Sequence, residues 1–281
     1  MKLLRFGAPG QERPGILDAH GAIRDLSGVV EDIAGEVLSD AGLDRLRGID
    51  PESLPRVDGD PRLGPCVAGV GKFLGIGLNY ADHAAETGMD LPEEPIVFAK
   101  ATSCIVGPND DVQMPKTSDK LDWEVELGVI IGTRAKNVSE AEALNHVAGY
   151  CVVNDVSERA FQAKRSGQWT KGKSHDGFGP IGPWLVTRDE VPDPQNLAMY
   201  TEVNGHRYQD GSTKTMHFGV ATIVAHLSEF MTLHPGDVIA TGTPPGVGMG
   251  LNPRVFLKIG DAMELSVAGL GVQRQTVVRS E

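Results

Sequence analysis

The chain has 281 residues, of which 40% are hydrophobic and 23% charged, and a net charge of −12. This length and balance are typical of a globular protein with a sizeable core. The acidic charge argues against a nucleic-acid partner, which needs a basic face. No apolar run approaches the roughly 20 residues of a membrane span, and the N-terminus lacks the apolar segment of a signal peptide. We therefore expect a cytoplasmic protein without a membrane or nucleic-acid partner.

The three cysteines are Cys66, Cys104 and Cys151. Their odd number, wide spacing and lack of a CxxC pair argue against a disulfide framework or a zinc site. We expect free thiols in a reducing compartment.

The first part of the chain differs from the rest. Short strand-like pieces at residues 2–6 and 13–19 precede a helical pattern over residues 28–49. Residues 51–65 contain four prolines and several charges and are typical of a linker. This predicts a small N-terminal domain with its linker over residues 1–68 and a main domain over residues 69–281.

The main domain contains short β-like runs separated by Gly, Pro and Asn-Gly turns. Helical patterns occur at residues 138–147, with a capping-box spacing, and at residues 220–231, with a 3.6-residue apolar stripe. The pattern predicts a mixed α+β protein dominated by strands. The expected strands are residues 72–79, 94–100, 123–132, 148–156, 182–187, 198–205, 237–243, 254–261 and 263–271.

Two glutamates interrupt one apolar strand. In "KLDWEVELGVIIG", Glu124 and Glu126 are two residues apart, so they point to the same face of an extended strand. Asp155 ends another apolar run about thirty residues later. Three carboxylates with room for water suit Mg²⁺, or alternatively Mn²⁺. The alternative is an ordinary surface pair, with one glutamate facing solvent or an arginine.

Other polar pairs occur near these carboxylates in sequence. His83 and Glu86 are three residues apart, as are Arg159 and Gln162, so each pair can share a helical face. A carboxylate beside an imidazole raises its basicity, which a general base requires, although an exposed surface pair has the same spacing. The Gly-rich segment "WTKGKSHDG" and the loop "ATGTPPGVG" offer further candidates for anion binding, namely Lys171, Lys173 and Thr243.

Several enzyme classes lack their signatures in this sequence. No GxxxxGK[ST] phosphate loop, GxSxG elbow or HExxH motif occurs. Nucleotide-binding P-loop proteins, serine hydrolases of the elbow type and zinc proteases are therefore not favoured.

Taken together, the motifs resemble the fumarylacetoacetate hydrolase superfamily over roughly residues 69–281, in particular its bacterial members that act on small 2-keto or 2,4-diketo acids. The motifs that carry the resemblance are "GIGLNYADHAAE", "PIVFAKATSCIVGPND", "DWEVELGVIIG", "GYCVVNDVSERAFQ", "WTKGKSHDGFGPIGPW", "VNGHRYQDGST" and "PGDVIATGTPPGVG". The resemblance implies a β-roll fold, a homodimer or homotetramer, and a Mg²⁺ or Mn²⁺ site at Glu124, Glu126 and Asp155. It also implies catalytic roles for His83, Glu86 and Lys173 and substrate contacts for Arg159, Gln162 and Thr243.

The implied reaction is hydrolysis of a carbon–carbon bond in an acylpyruvate. His83, held by Glu86, would activate a water that attacks carbon 4, and Lys173 would stabilise the pyruvate enolate. The length and the N-terminal motifs resemble members that hydrolyse 2,4-diketo-3-deoxy sugar acids derived from rhamnonate or fuconate, giving pyruvate and lactate. Oxaloacetate decarboxylase and ureidoglycolate lyase-like activities at the same metal site, and a metal-stabilised binding protein without catalysis, are the alternatives.

Overall fold

The computed structural model describes residues 1–82 and 90–280. The α-helices that lie wholly within these residues are α1 (Asp40–Arg47), α2 (Glu140–Ala143), α3 (Thr170–Lys173) and α4 (Val220–Phe230). The strands of the described residues are β1 (Lys2–Phe6), β2 (Arg13–Leu17), β3 (Ile23–Asp25), β4 (Phe73–Gly77), β5 (Ile96–Lys100), β6 (Ile105–Val106), β7 (Val112–Met114), β8 (Leu121–Asp122), β9 (Val125–Ile131), β10 (Val147–Asn154), β11 (Ser157–Glu158), β12 (Gly179–Thr187), β13 (Ala198–Val203), β14 (His206–Ser212), β15 (Val238–Ala240), β16 (Ala262–Val267) and β17 (Gly271–Arg279).

These strands form three sheets. The largest runs β3-β2-β1-β12-β10-β9-β15-β4-β5, with β6 added beside β12. A second sheet runs β14-β13-β16-β17-β7, and β8 pairs with β11. The predicted mixed α+β class, dominated by strands, is confirmed.

The N-terminal strands belong to the largest sheet. Strand β1 pairs antiparallel with β12, in the register Leu3 opposite Leu185. Leu3 and Ile16 are buried in the same apolar core as the residues of β9 and β10. The first 68 residues therefore extend the sheet that carries the acidic strand, while the domain boundary at residue 68 stays a prediction.

Several local predictions are confirmed. The apolar stripe of α4 is buried at Ile223, Val224 and Leu227. The Asn204-Gly205 turn has positive φ at both residues and joins β13 to β14, as a two-residue hairpin requires. All three cysteines are buried and unpaired. Among the described residues, none of the helices is long and apolar enough to cross a membrane.

Three local predictions were wrong or too generous. The pattern at residues 28–49 forms an α-helix only over α1, because Ser39 caps that helix by accepting a hydrogen bond from the Gly42 N–H. The pattern at residues 138–147 gives the short α2 and one 3₁₀ turn before β10 begins. Residues 254–261 form no strand, because Lys258 and Asp261 close a turn there and Ile259 is half exposed.

Candidate active site

Strand pairing brings the three predicted carboxylates together. Glu126 lies in β9, which is buried along its whole length between β10 and β15, and Glu124 immediately precedes that strand. Asp155 follows β10, which pairs antiparallel with β9, and its N–H donates to the Glu124 carbonyl at 2.9 Å. One carboxylate oxygen of each residue lies within 4.8 Å of the other two. Both glutamates are buried, so the alternative interpretation is wrong in placing them at the surface, but Glu124 does face an arginine, Arg159.

Two lysines neutralise part of this acidic cluster. Lys173 Nζ donates to Glu124 Oε2 at 2.7 Å and to Asp155 Oδ2 at 2.6 Å. Lys100 Nζ donates to Asp155 Oδ1 at 2.5 Å. Both ammonium groups are buried, so each depends on these carboxylates to offset the cost of leaving water.

Arg159 completes the set of cationic side chains. Its Nε donates to Asp122 Oδ2 at 2.8 Å, and its Nη2 forms an ion pair with Glu124 Oε1 at 2.8 Å. Its Nη1 donates to Gln162 Oε1 at 3.1 Å, so the predicted shared face of Arg159 and Gln162 is confirmed. The turn between them is π-helical over Ala160–Lys164.

The two glutamates have opposite pKa shifts. Burial alone would raise the pKa of Glu124, but the charges of Lys173 and Arg159 outweigh burial and hold that pKa well below its usual range. Burial raises the pKa of Glu126 well above its ordinary value, and the charges of Asp155 and Glu124 raise it further. The Gly242 N–H donates to Glu126 Oε2 at 2.7 Å.

This imbalance fits a divalent cation. Among the described residues, the cluster contains four buried carboxylates, including Asp122, and three cationic side chains. Glu126 has no cationic partner among those residues, although its carboxylate lies beside those of Glu124 and Asp155. Three carboxylates at this spacing are hard oxygen donors of the kind that Mg²⁺ and Mn²⁺ prefer. The residues present therefore suit such an ion.

A buried amide network holds the acidic strand in place. Gln209 Oε1 accepts the Val125 N–H at 3.0 Å, and Gln209 Nε2 donates to Thr243 Oγ1 at 2.7 Å. Thr243 Oγ1 in turn donates to the Val125 carbonyl at 2.9 Å. Both backbone groups of the residue between Glu124 and Glu126 are thus fixed by side chains. Thr243 therefore positions the strand, and its predicted contact with substrate stays a prediction.

We expect Gln209→Leu to weaken metal binding without removing a ligand. The substitution leaves the buried Val125 N–H without its partner, which costs about 1–3 kcal/mol in the free energy of unfolding. Loss of such outer support typically lowers metal affinity by about 10- to 100-fold. Calorimetric titration with Mn²⁺ and chemical denaturation measure the two effects.

Gln273→Leu is the matched control for that variant. Gln273 is also fully buried, but its amide donates to the carbonyls of Val152 and Gly182. It is connected to Glu124 indirectly, through Gln275 and Asn154. We expect it to lower stability and leave Mn²⁺ affinity unchanged. Equal losses of affinity in both variants would mean that Gln209 has no particular role in positioning the glutamates.

The acidic cluster opens on a cavity of about 300 Å³. Gly172 helps to build it: a Cβ there would lie 2.5 Å from the Gln162 nitrogen, so only glycine lets α3 pack on the π-helical turn. Lys171, on the same helix, is exposed, which separates it from the buried Lys173. The predicted residues that line the cavity are Glu124, Glu126, Arg159, Gln162, Lys173 and Thr243.

Two predicted site residues cannot be placed in the structure, and two residues of the cluster were not predicted from the sequence. His83 and Glu86 lie outside the described residues, so their roles stay predictions. Asp122 and Lys100 belong to the cluster but were not predicted. Asp122 continues the two-residue spacing of Glu124 and Glu126, a signal that sequence reasoning could have used. Lys100 ends an apolar strand, which gives no indication of its partner.

Comparisons with known proteins agree with this architecture. The family model described as "Fumarylacetoacetate (FAA) hydrolase C-terminal" matches residues 72–278. A Burkholderia cenocepacia protein with a provisional hydrolase name is 68% identical over 98% of each chain. The solved fumarylacetoacetate hydrolase from Exiguobacterium antarcticum is 39% identical with a TM-score of 0.85, and both chains are covered completely.

A further solved structure contains a manganese ion and pyruvate. Maleylpyruvate hydrolase from Sphingobium sp. SYK-6, in complex with manganese(II) ion and pyruvate, is 28% identical with a TM-score of 0.83 and complete coverage of both chains. The fold resembles this enzyme over its full length, and the family model covers most of the chain. The chain therefore belongs to the fumarylacetoacetate hydrolase family.

Proposed function

We propose that this protein is a divalent-metal-dependent hydrolase that cleaves the bond between carbons 3 and 4 of a 2,4-diketo acid. The products are pyruvate and a second carboxylic acid. The observation that carries this proposal is the buried cluster around Glu124, Glu126 and Asp155, which opens on a cavity and leaves Glu126 without a cationic partner among the described residues. The manganese and pyruvate bound by the Sphingobium relative support the same reaction class.

Glu124, Glu126 and Asp155 would hold Mg²⁺ or Mn²⁺. When bound, such an ion supplies positive charge and Lewis acidity next to the substrate oxygens. Arg159 is shared between Asp122 and Glu124, so its first task is to fix the Glu124 carboxylate. Gln162 Oε1 accepts a hydrogen bond from Arg159, and the Gln162 side chain also lines the cavity. We therefore prefer its amide over the Arg159 guanidinium as the group that contacts the substrate.

The reaction needs a base and a cation at opposite ends of the breaking bond. Water adds to the carbonyl at carbon 4, and His83, supported by Glu86, takes the proton. The bond between carbons 3 and 4 then breaks, and its electron pair moves to carbon 3 as the enolate of pyruvate. Lys173, which is buried and lines the cavity, provides positive charge for that enolate. A proton returned to carbon 3 completes pyruvate.

We expect His83→Ala to lower kcat by about a hundredfold or more, because general-base help is typically worth at least that factor. Mn²⁺ affinity is expected to stay unchanged, since the three proposed ligands remain. Pyruvate release and Mn²⁺ titration measure the two quantities. Turnover close to that of the unaltered enzyme would contradict the role of His83.

The reaction is tested by measuring pyruvate release from a panel of substrates, with Mg²⁺ and with chelator. The panel contains acetylpyruvate, a 2,4-diketo-3-deoxy sugar acid of the rhamnonate or fuconate series, and oxaloacetate. Ureidoglycolate is assayed beside them by release of glyoxylate, because its cleavage gives glyoxylate and urea rather than pyruvate. The sugar acid represents the finer hypothesis drawn from the N-terminal motifs. Metal-dependent release from diketo acids alone supports the proposal. Turnover of oxaloacetate that exceeds diketo-acid turnover and survives His83→Ala would indicate a decarboxylase, since decarboxylation needs no attacking water.

A further inference from the structure

The cavity has two chemically different walls. The charged side chains and the amide of Gln162 form one wall, beside the proposed metal ligands. The other wall consists of Ile76, Leu78, Phe98, Trp169 and Met249. A 2,4-diketo acid whose carboxylate and 2-oxo group lie against the charged side chains would place the substituent on carbon 4 against the apolar ones.

The glycines of β4 create the seats for the two aromatic rings. Phe98 lies directly opposite Gly75 in the sheet, and a Cβ on Gly75 would lie 2.2 Å from the Phe98 ring. A Cβ on Gly77 would lie 2.4 Å from the Trp169 ring. The alternating glycines of "FLGIG" therefore admit both rings, and no other residue type would leave them this room.

The rings lead outward from the reactive end. Lys173 Nζ lies 5.0 Å above the Phe98 ring, and the Phe98 and Trp169 centroids are 5.5 Å apart at an interplanar angle of 56°. Trp169 directly precedes α3, whose Thr170 hydroxyl donates to the Ala99 carbonyl at 2.8 Å. The apolar wall is thus fixed to the element that carries Lys173, and its far end is Trp169.

We propose that the Phe98–Trp169 wall selects 2,4-diketo acids whose substituent on carbon 4 ends in an apolar group. This inference rests on the proposed carbon–carbon hydrolase function. A polar group at the end of the substituent loses its water against this wall, whose five described side chains offer it at most the indole N–H of Trp169, so its burial costs binding energy. A 6-deoxy sugar acid, which ends in a methyl group, satisfies the requirement, whereas one that ends in hydroxymethyl does not.

Two substrates of nearly equal shape test the proposal. The substituent is isobutyl in 6-methyl-2,4-dioxoheptanoate and carbamoylmethyl in 5-carbamoyl-2,4-dioxopentanoate, and acetylpyruvate serves as the short reference. We expect kcat/KM for pyruvate release to be at least about tenfold higher for the isobutyl compound than for the amide. Equal values, or a preference for the amide, overturn the selection rule. If none of the three releases pyruvate, the hydrolase function itself is wrong, so the two failures are distinguishable.

Two variants attribute the selection to the aromatic wall. We expect Trp169→Ala to reduce kcat/KM for the isobutyl compound more than for acetylpyruvate. The ratio of kcat/KM between the isobutyl compound and the amide should therefore fall. Gly77→Ala should act in the same direction because the added Cβ displaces the Trp169 ring. Trp184→Ala, which removes a half-buried tryptophan outside the cavity, is the control and should leave the ratio unchanged.

Mn²⁺ affinity separates selection from misfolding. The Trp169 ring packs on Phe98, and a Cβ on Gly77 would meet Trp169 and Ile96, none of which is a proposed metal ligand. Both variants should therefore bind Mn²⁺ as the unaltered protein does. An unchanged substrate ratio in a variant that still binds Mn²⁺ overturns the role of the wall. If Trp169→Ala loses Mn²⁺ binding, Gly77→Ala provides the decisive ratio.

Discussion

Glu126→Gln is expected to abolish metal-dependent turnover and to lower Mn²⁺ affinity on the order of 100-fold or more. Glutamine keeps the shape of the side chain and still accepts the Gly242 N–H, but it removes the charge that a divalent cation requires. Even the outer partners of metal ligands are worth about 10- to 100-fold in affinity, so loss of a direct ligand is expected to exceed that range. Calorimetric titration with Mn²⁺ measures the loss.

The same substitution is expected to stabilise the metal-free protein near neutral pH. Burial and the neighbouring charges of Asp155 and Glu124 raise the pKa of Glu126 well above its ordinary value of 4.5. The folded protein therefore holds the Glu126 proton more tightly than the unfolded chain. As pH rises above about 4.5 toward the raised pKa, the unfolded chain loses this proton first and the free energy of unfolding falls. A glutamine at this position does not titrate, so the variant avoids that fall in the free energy of unfolding.

A metal ligand and a structural carboxylate differ in these two quantities. Loss of a metal ligand lowers Mn²⁺ affinity but stabilises the metal-free protein, whereas loss of a structural carboxylate lowers stability and leaves Mn²⁺ affinity unchanged. Chemical denaturation in chelator, from pH 5 to pH 8, should give a flatter stability profile for Glu126→Gln than for the unaltered protein. The control is Glu229→Gln, a charge loss at an exposed position, which should change neither quantity. A Glu126→Gln protein that is less stable in chelator and binds Mn²⁺ normally would contradict the assignment.

The sequence predicted the acidic cluster because its signals are local. Glu124 and Glu126 share a face through the two-residue period of a strand, and Asp155 was joined to them because it ends a second apolar run, as the family resemblance also implied. The cationic side chains that neutralise these carboxylates were harder to predict from the sequence. Lys100 meets Asp155 only because β4, β5, β9 and β10 belong to one sheet, and no local pattern states the order of strands in a sheet.

The difference between local and long-range signals also explains which elements of the fold were predicted correctly. The hairpin at Asn204-Gly205 and the helix α4 follow from turn chemistry and a clear apolar period, and both were predicted. Residues 254–261 have strand-like composition, but Leu257 hydrogen-bonds the Leu121 carbonyl as a single contact rather than joining a ladder. Composition reports propensity, whereas a strand also needs a partner edge that only the tertiary structure supplies.

The two buried lysines offer the second large effect, because both bind Asp155 but only one lines the cavity. Lys100 and Lys173 donate to different oxygens of that carboxylate, at 2.5 Å and 2.6 Å. Replacing either by methionine leaves a buried charge with fewer partners, which costs about 3–5 kcal/mol in the free energy of unfolding. Denaturant unfolding in chelator should therefore show comparable losses for Lys100→Met and Lys173→Met.

Turnover should separate the two variants. Lys173 provides the positive charge for the proposed enolate, and removal of one such group typically lowers kcat by about 10²–10³-fold. Lys100 acts only through Asp155, so Lys100→Met should lower kcat by about tenfold, as for other outer supports of a metal ligand. Pyruvate release at saturating Mg²⁺ measures both values, and Mn²⁺ titration checks that each variant retains the three carboxylate ligands.

The comparison is informative because both substitutions remove a cationic partner of Asp155, although Lys173 also donates to Glu124. If charge balance around Asp155 were the whole contribution of Lys173, both variants would lose stability and turnover in equal proportion. If both variants keep their Mn²⁺ affinity, a kcat for Lys173→Met that is far below that of Lys100→Met assigns the difference to the cavity-facing ammonium rather than to the lost partner of Glu124. Equal kcat values would instead limit Lys173 to neutralising Glu124 and Asp155, and the enolate would then need another cationic group.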